Sequence, residues 1–258
     1  MNEITSISNP LIKLFISLQQ KKYRQKNQLF LIEGEKLINE ALCSNIEIPI
    51  IFYTPKFPLT HDYTALQQTE FFKISESLMS KVATTETTPV IIGAGKYITY
   101  QPKISKNNLQ LFCDQLQDPG NFGTIIRLSE GMGVDEIWLS SNSVDKYNPK
   151  VVRASAGSIF RVPIYETPDT EEYIMNLKTQ NWQILGTSPY AESILYSIEF
   201  KKPTVLVIGQ EGRGISEKIK KLLDVNFKIP MHGNLESLNV AMATGIILSE
   251  VLRQRTYT

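Results

Sequence analysis

The chain has 258 residues, of which 42% are hydrophobic and 21% are charged, and this composition excludes an intrinsically disordered protein. Its 27 Lys and Arg against 26 Asp and Glu leave a net charge of +1, which excludes a strongly basic whole chain but not a local basic patch. Two Cys and two His are too few for a disulfide framework or a zinc hydrolase centre, so we expect no metal.

Targeting features also bear on the class of protein. The first residues, Met-Asn-Glu-Ile-Thr-Ser, carry no basic-then-apolar signal. No apolar run approaches the ~20 residues that a membrane-spanning helix needs. We therefore expect a cytoplasmic protein without a membrane partner.

The N-terminal stretch of the chain is basic. Residues 4–32 contain no acidic side chain and five basic ones, which are Lys13, Lys21, Lys22, Arg24 and Lys26. A solvated helix face is the usual explanation of a short basic cluster. Because no acidic residue interrupts this stretch, a surface that faces phosphate groups is a fair alternative.

Strand-like and helix-like patterns alternate over the first hundred residues. Apolar runs predict strands at residues 28–32, 48–53, 71–74 and 90–92. Helices are predicted at residues 34–42 and 75–83, the second with Ser75 as its N-cap. The polar stretch 100–108, which contains Pro102, ends this region. We therefore predict a first domain of residues 1–100 and a linker of residues 101–107.

The second domain, residues 108–258, is predicted to be α/β. Apolar runs predict short buried strands at residues 109–113, 136–139, 183–187, 204–208 and 226–229. Helices are predicted at residues 122–132, 150–156, 169–179, 216–223 and 238–255. Strands that alternate with helices form βαβ units, so we expect a doubly wound, mostly parallel sheet that is covered on both faces.

Three polar segments follow predicted strands, and open parallel sheets bind ligands where their strands end. The first segment runs from Asp118 to Arg127 and is by itself explained as a turn with Asn121 as a helix N-cap. The second, residues 209–214, has three glycines. It matches neither the dinucleotide fingerprint nor the G-x-x-x-x-G-K-[ST] loop, which disfavours an ordinary nucleotide-binding enzyme.

The third segment begins at Ile229 and leads into the final helix. Ser237 is the expected N-cap of that helix, a role that is compatible with facing a ligand at the positive end of the helix dipole. Asn239, in the first turn, is not needed for the core. This position makes Asn239 a candidate for a role at the site.

Taken in order, the three segments resemble the motifs of the SpoU (TrmH) family of RNA ribose 2′-O-methyltransferases, part of the SPOUT superfamily. The matching patterns are Asn121-x-Gly123-x-x-x-Arg127, Gly209-x-Glu211-x-x-Gly214, and Ile229-Pro230-Met231 followed by Ser237-Leu238-Asn239-Val240. Residues 148–160 resemble the intermotif segment of this family. Residues 30–34, Phe-Leu-Ile-Glu-Gly, resemble part of its N-terminal RNA-binding domain.

This resemblance implies an enzyme that uses S-adenosyl-L-methionine and methylates RNA, with ribosomal RNA favoured over transfer RNA. It implies a catalytic domain, residues 108–258, whose C-terminal segment threads through a loop to form a trefoil knot. A smaller α/β/α RNA-binding domain is implied before it. The resemblance also implies a homodimer that forms through the catalytic domain and completes the site.

Carried over position by position, the resemblance assigns roles to individual residues. The implied catalytic residues are Asn121, Arg127, Glu211, Ser237 and Asn239. The implied contacts to the methyl donor are Thr187, Gly209, Ile229 and Leu238. RNA binding is expected of Lys21, Lys22 and Arg24.

Arginine has a pKa above ~12 and is a poor proton acceptor. We therefore expect Arg127 to position the ribose or its phosphate and to stabilise developing alkoxide charge, with a transient role as base as the alternative. Glu211 is expected to orient either Arg127 or Asn121. A transfer RNA substrate, a non-catalytic RNA-binding protein of the same fold, and a role in antibiotic resistance all stay open at this point.

Overall fold

A computed structural model describes residues 2–58, 63, 68–100, 107–233 and 235–257. The chain forms two compact units, Met1–Tyr100 with Asp145–Phe160, and Gln101–Val144 with Arg161–Thr258. The sequence assigns Asp145–Phe160 to the second domain, whereas in the structure this segment packs in the first unit. Of the predicted linker, residues 101–106 lie outside the described residues.

The described residues contain short strands and helices in alternation. The strands are β1 (Asn2–Ile4), β2 (Leu29–Glu33), β3 (Ile50–Tyr53), β4 (Glu70–Ile74), β5 (Ile91–Lys96), β6 (Leu109–Asp114), β7 (Glu136–Ser140), β8 (Ile164–Thr167), β9 (Gln183–Thr187), β10 (Ser193–Ile194), β11 (Thr204–Gly209) and β12 (Val225–Lys228). The helices are α1 (Pro10–Ser17), α2 (Lys21–Asn27), α3 (Glu35–Cys43), α4 (Glu76–Val82), α5 (Pro119–Gly131), α6 (Pro149–Ala154), α7 (Thr170–Thr179), α8 (Glu217–Lys220) and α9 (Val240–Thr256). Among the described helices, none combines the length and the hydropathy that crossing a membrane requires.

The first unit is built on a five-stranded mixed sheet with the order β1-β4-β3-β5-β2. Leu31 belongs to a core cluster with side chains of α1 and α4, where the Phe15 and Phe52 rings stack with centroids 4.1 Å apart. The preceding residue, Phe30, stacks on Tyr147 at 4.5 Å. Because successive side chains of a strand point to opposite faces, the sheet is covered on both sides, as expected of an α/β/α domain. Ser75 caps α4 as predicted.

The segment Asp145–Phe160 contributes side chains to the interior of the first unit. The Tyr147 ring also packs on Tyr97, with centroids 4.1 Å apart. Further along the segment, Arg153 Nη1 donates to Glu33 Oε1 at 3.1 Å, and Glu33 is only 6% exposed. These contacts explain why a stretch from the middle of the chain belongs to this unit.

The second unit has a seven-stranded sheet with the order β10-β12-β9-β11-β6-β7-β8. Every neighbouring pair is parallel, so the predicted doubly wound parallel sheet is confirmed. Its central strands are fully buried, as Phe112 in β6 and Val205 and Val207 in β11 illustrate. The sequence did not predict β8 or β10.

The order of strands at one edge of this sheet shows where an earlier part of the chain crosses a later strand. Thr187 of β9 and Ser193 of β10 are both in register with Phe227 of β12, on opposite sides of it. The connection 188–192 therefore crosses the carboxyl end of β12, a strand that comes later in the chain. This strand order is consistent with a threaded C-terminal segment, as in the trefoil knot that the resemblance implies.

Candidate functional site

The polar segments of the sequence lie at the carboxyl edge of the second unit's sheet. Thr187 is the last residue of β9, Gly209 is the last of β11, and Ile229 follows β12 directly. Strand β9 lies between β11 and β12 and pairs with both. The three residues therefore end neighbouring parallel strands at one edge, which is where sheets of this kind bind ligands.

Side-chain hydrogen bonds join the three segments. Asn121 Nδ2 donates to Glu211 Oε1 at 3.0 Å, and Asn121 Oδ1 accepts from Asn239 Nδ2 at 2.9 Å. Asn121 thus uses both ends of its amide, which fixes the orientation of the side chain. The contacts bridge 90 and 118 residues of sequence. We call Asn121, Glu211 and Asn239 the amide cluster.

The helix caps at this edge differ from those that the sequence predicts. Asn239, not Ser237, caps α9, since its Oδ1 accepts from two amides of the first turn, at 2.9 and 3.3 Å. Asp118, not Asn121, caps α5 and accepts from Asn121 N at 2.7 Å. Pro119 occupies the first turn of α5, a position that suits proline and makes the preceding residue the cap. The Asn121 side chain is therefore left for the amide cluster.

The loop after β11 folds back tightly on itself. Gln210 N donates to Gly214 O at 3.1 Å, and Gly214 N donates to Gln210 O at 2.8 Å. Gly214 has φ +71, a conformation that favours glycine. A Cβ on Gly209 would lie only 2.1 Å from the Gly214 carbonyl carbon. The loop can approach β11 this closely only because residue 209 is glycine.

Replacing Gly209 with alanine should lower the free energy of unfolding by about 1–3 kcal/mol, because the new methyl group meets backbone that has to shift. Gly131→Ala is the matched control, since a Cβ there would have nothing within 4 Å. Urea unfolding followed by circular dichroism measures both variants. Equal stability of Gly209→Ala and the wild type would show that the loop relaxes without cost.

The end of β6 contributes two residues that the sequence analysis did not single out. Asp114 is 2% exposed and accepts from Ser216 N at 2.7 Å, which fixes the chain just after the 209–214 loop. A carboxylate at the end of an apolar strand was the available signal, because a buried charge needs a partner. Burial raises the pKa of the neighbouring Cys113 thiol, and the charges of Asp114 and Glu211 raise it further. This thiol therefore stays protonated and is unsuited to nucleophilic catalysis.

Arg127 and Ser237 stay outside the amide cluster. Arg127 lies on α5, six residues after Asn121, and is exposed. Ser237 is also exposed, ahead of the first turn of α9. Within the described part of the chain, neither side chain has a hydrogen bond or an ion pair. Arg127 is therefore a cation whose charge is available to a ligand.

The basic stretch of the first unit divides into exposed and buried side chains. Lys21 and Lys22 are exposed at the start of α2. Arg24 is 2% exposed; it forms an ion pair with Asp145 and donates to two backbone carbonyl oxygens at 2.8 and 2.9 Å. The prediction that Arg24 binds RNA is therefore wrong, because its guanidinium is buried and already paired with groups of the same unit.

An apolar groove adjoins the amide cluster between α5 and α9. Leu128 of α5 lines it together with Met242 and Ile246 of α9 and with Tyr196. Met242 is 63% exposed, Tyr196 61% and Ile246 37%. A contiguous set of exposed apolar side chains marks an interaction surface more often than a solvated one.

The groups at the carboxyl edge fit the methyl donor implied by the resemblance. Among the described residues, no three His, Cys, Asp or Glu are grouped to hold a metal ion. In the 209–214 loop, the backbone amides of residues 211–213 donate to no described residue, so they can bind a carboxylate or an adenine nitrogen. The carboxylate of Glu211 lies in the same loop, and its negative charge is compatible with a sulfonium.

Comparisons of sequence place the chain among known proteins. The model of the SpoU rRNA Methylase family matches residues 108–249, and an MRM3-like substrate binding domain matches residues 9–93. RlmP of Bacillus subtilis, a 23S rRNA guanosine 2′-O-methyltransferase, is 32% identical over 96% of this chain and 98% of its own. An uncharacterised tRNA/rRNA methyltransferase of Synechocystis is 33% identical over 98% of this chain and 94% of its own.

A solved structure agrees with this assignment over both units. The rRNA methyltransferase of Sinorhizobium meliloti, crystallised with S-adenosylmethionine bound, superposes with a TM-score of 0.88 at 29% identity. The alignment covers 100% of this chain and 99% of that one. The likeness therefore extends over the complete chain, not over the catalytic region alone.

Proposed function

The chain belongs to the SpoU rRNA methylase family, and from that premise we propose that it methylates a ribose 2′-hydroxyl of 23S ribosomal RNA. S-adenosyl-L-methionine is the methyl donor, as in the related rRNA methyltransferase crystallised with this compound. The 23S substrate is supported by RlmP, which matches this chain over nearly its full length. Transfer RNA is the second candidate.

The observation that carries the proposal is the amide cluster. Its three side chains come from separate segments and are held in contact at the edge where the donor is expected. A protein that had kept the fold only to bind RNA would not need them in this arrangement. Their presence therefore favours an enzyme over a non-catalytic RNA-binding protein.

In the reaction an O–CH3 bond forms, the S–CH3 bond of the donor breaks with its electron pair staying on sulfur as a thioether, and the hydroxyl proton passes to solvent. The bound donor supplies an electrophilic methyl group, so this chain mainly has to align the ribose oxygen with it. A guanidinium is a poor proton acceptor, and we assign Arg127 to binding the ribose or its phosphate and to stabilising alkoxide charge. Glu211, held by Asn121, would offer its carboxylate to the sulfonium of a bound donor, and Asn239 keeps Asn121 in place.

Mapping of 2′-O-methyl groups tests the proposal. Ribosomal and transfer RNA from a deletion strain and its parent are compared, and the purified protein is then incubated with the unmodified RNA and donor. We expect one 23S position to lose its methyl group in the deletion strain and to regain it in vitro. Loss confined to transfer RNA would identify the other substrate, and unchanged maps with no transfer in vitro would contradict an enzymatic role.

The apolar groove is the proposed contact surface of a homodimer. Met242 and Ile246 lie one turn apart on α9, and both side chains are exposed in the groove. The groove begins at Asn121 and Asn239, so a second copy seated there would lie beside the amide cluster. Dimerisation would then complete the methyl-transfer site, as the family resemblance implies.

Ile246→Lys should convert the dimer to a monomer, because a charge in an apolar contact is desolvated without a partner. Met175→Lys is the matched control, since Met175 is 51% exposed on α7, away from the groove lining. Light scattering after size-exclusion chromatography gives the mass of each variant. A dimer that survives Ile246→Lys, or a wild-type monomer, would place the contact elsewhere or remove it.

The proposal extends to RNA contact and to the cellular compartment. Lys21 and Lys22, both exposed on α2, contact phosphates of the RNA, and the salt dependence of RNA binding should fall when both are replaced by alanine.

The protein acts in the cytoplasm. This assignment rests on the expected ribosomal RNA substrate.

A further inference from the structure

The connection between β9 and β10 presents one aromatic ring above the carboxyl edge. Thr187 and Ser193 flank this connection. Both are in register with Phe227 of β12, one on each side of that strand. Neighbouring strands are about 4.8 Å apart, so the five intervening residues span a lateral distance of roughly 10 Å across the end of β12. Tyr190 is the middle residue of that crossing.

The backbone around Tyr190 is fixed, whereas its ring is not covered. Tyr190 N donates to Ser188 Oγ at 3.3 Å, and Ala191 N donates to Ser188 O at 3.3 Å. Ala191 is 7% exposed and Leu195 is fully buried, which anchors the chain that follows. Tyr190 itself is 87% exposed. The turn therefore fixes the backbone at Tyr190, and the uncovered ring is accessible to a ligand that approaches from outside.

We propose that Tyr190 stacks on an unpaired base of the RNA, next to the nucleotide whose ribose is methylated. The inference rests on the proposed function, since it requires an RNA at this edge. Sequence-specific recognition of RNA places unstacked bases on aromatic side chains. Tyr190 offers such a face directly above the strand ends that the donor and the ribose have to share.

The exposure of the ring separates this role from donor binding. The expected donor contacts are all half-buried: Thr187, Gly209 and Ile229 at the strand ends, and Leu238 just before α9. A ring that covered a donor on these residues would pack down on them, whereas the Tyr190 ring points into solvent. Its contact is therefore assigned to the RNA, which approaches from outside.

Tyr190→Ala tests the inference with 23S RNA as substrate. Loss of base stacking should raise the KM for RNA, and the Kd for RNA, by roughly 10- to 100-fold, while the Kd for S-adenosylmethionine stays unchanged. Tyr190→Phe keeps the ring and should behave as the wild type. Tyr257→Ala is the matched control, since Tyr257 is 76% exposed at the end of α9, and it should change neither constant.

Three results would overturn the inference. Unchanged RNA constants in Tyr190→Ala would show that the ring binds no base. A weaker Kd for the donor would show that it covers the donor instead, and an equal loss in Tyr257→Ala would show a non-specific effect. If the wild type transfers no methyl group, the proposed function fails by itself, and the RNA Kd of the same variants still decides the role of Tyr190.

Discussion

Arg127→Ala should lower the rate of methyl transfer by about 10²–10³-fold, the effect expected when one group that stabilises developing oxyanion charge is removed. Arg127 is exposed and makes no ion pair within the described residues. Its loss should therefore leave the fold and the Kd for S-adenosylmethionine nearly unchanged. Single-turnover rates with 23S RNA, together with calorimetry for the donor, separate the two effects.

Two further variants sharpen this prediction. Arg127→Lys keeps the charge but loses the planar fork of donors, so it should recover only part of the rate. Lys201→Ala removes another exposed cation of the same unit and should have no effect on transfer. A normal transfer rate in Arg127→Ala, or loss of donor binding with it, would contradict the role assigned to this residue.

Arg24→Met should destabilise the first unit by about 3–5 kcal/mol, because it leaves a buried carboxylate without its partner. Asp145 has a side chain only 11% exposed, and Arg24 Nε donates to its Oδ2 at 3.0 Å. The substitution also removes the donors to the Leu18 and Gln19 carbonyl oxygens. Urea unfolding of the full chain, followed by circular dichroism, should show an earlier first transition.

Two further variants test whether the loss of stability comes from the unpaired Asp145 carboxylate. Lys21→Met changes an exposed residue of the same helix and should stay within about 0.5 kcal/mol of the wild type. Arg24→Met combined with Asp145→Leu removes both charges and should restore much of the stability. If Arg24→Met were as stable as Lys21→Met, the ion pair would not hold Asp145–Phe160 in the first unit.

Strands with a continuous apolar run could be predicted from the sequence, and short or mixed ones could not. The run in β11, Thr-Val-Leu-Val-Ile-Gly, has the pattern of a strand buried on both faces. In contrast, β8 reads Ile-Tyr-Glu-Thr and β10 has two residues, so neither gives a signal above that of a loop. Their positions are set by pairing with β7 and β12, which is tertiary information.

Side-chain partners were the least predictable part of the site and of the first unit. Arg24 belongs to a run of basic residues, yet it is buried and pairs with Asp145, 121 residues away in sequence, and with two backbone carbonyl oxygens. Likewise, Asn121, Asp118, Ser237 and Asn239 are all good N-caps by residue type. Contacts between the segments decide which of them cap and which join the amide cluster. Of the two partners expected for Glu211, the structure gives Asn121.

Calorimetric titration of the purified wild-type protein with S-adenosyl-L-methionine measures whether the strand ends at Thr187, Gly209 and Ile229 hold the donor beside the amide cluster. We expect saturable binding of the donor, weakened in Gly209→Ala and unchanged in Gly131→Ala. Absence of binding by the wild type, both alone and with 23S RNA present, would contradict it.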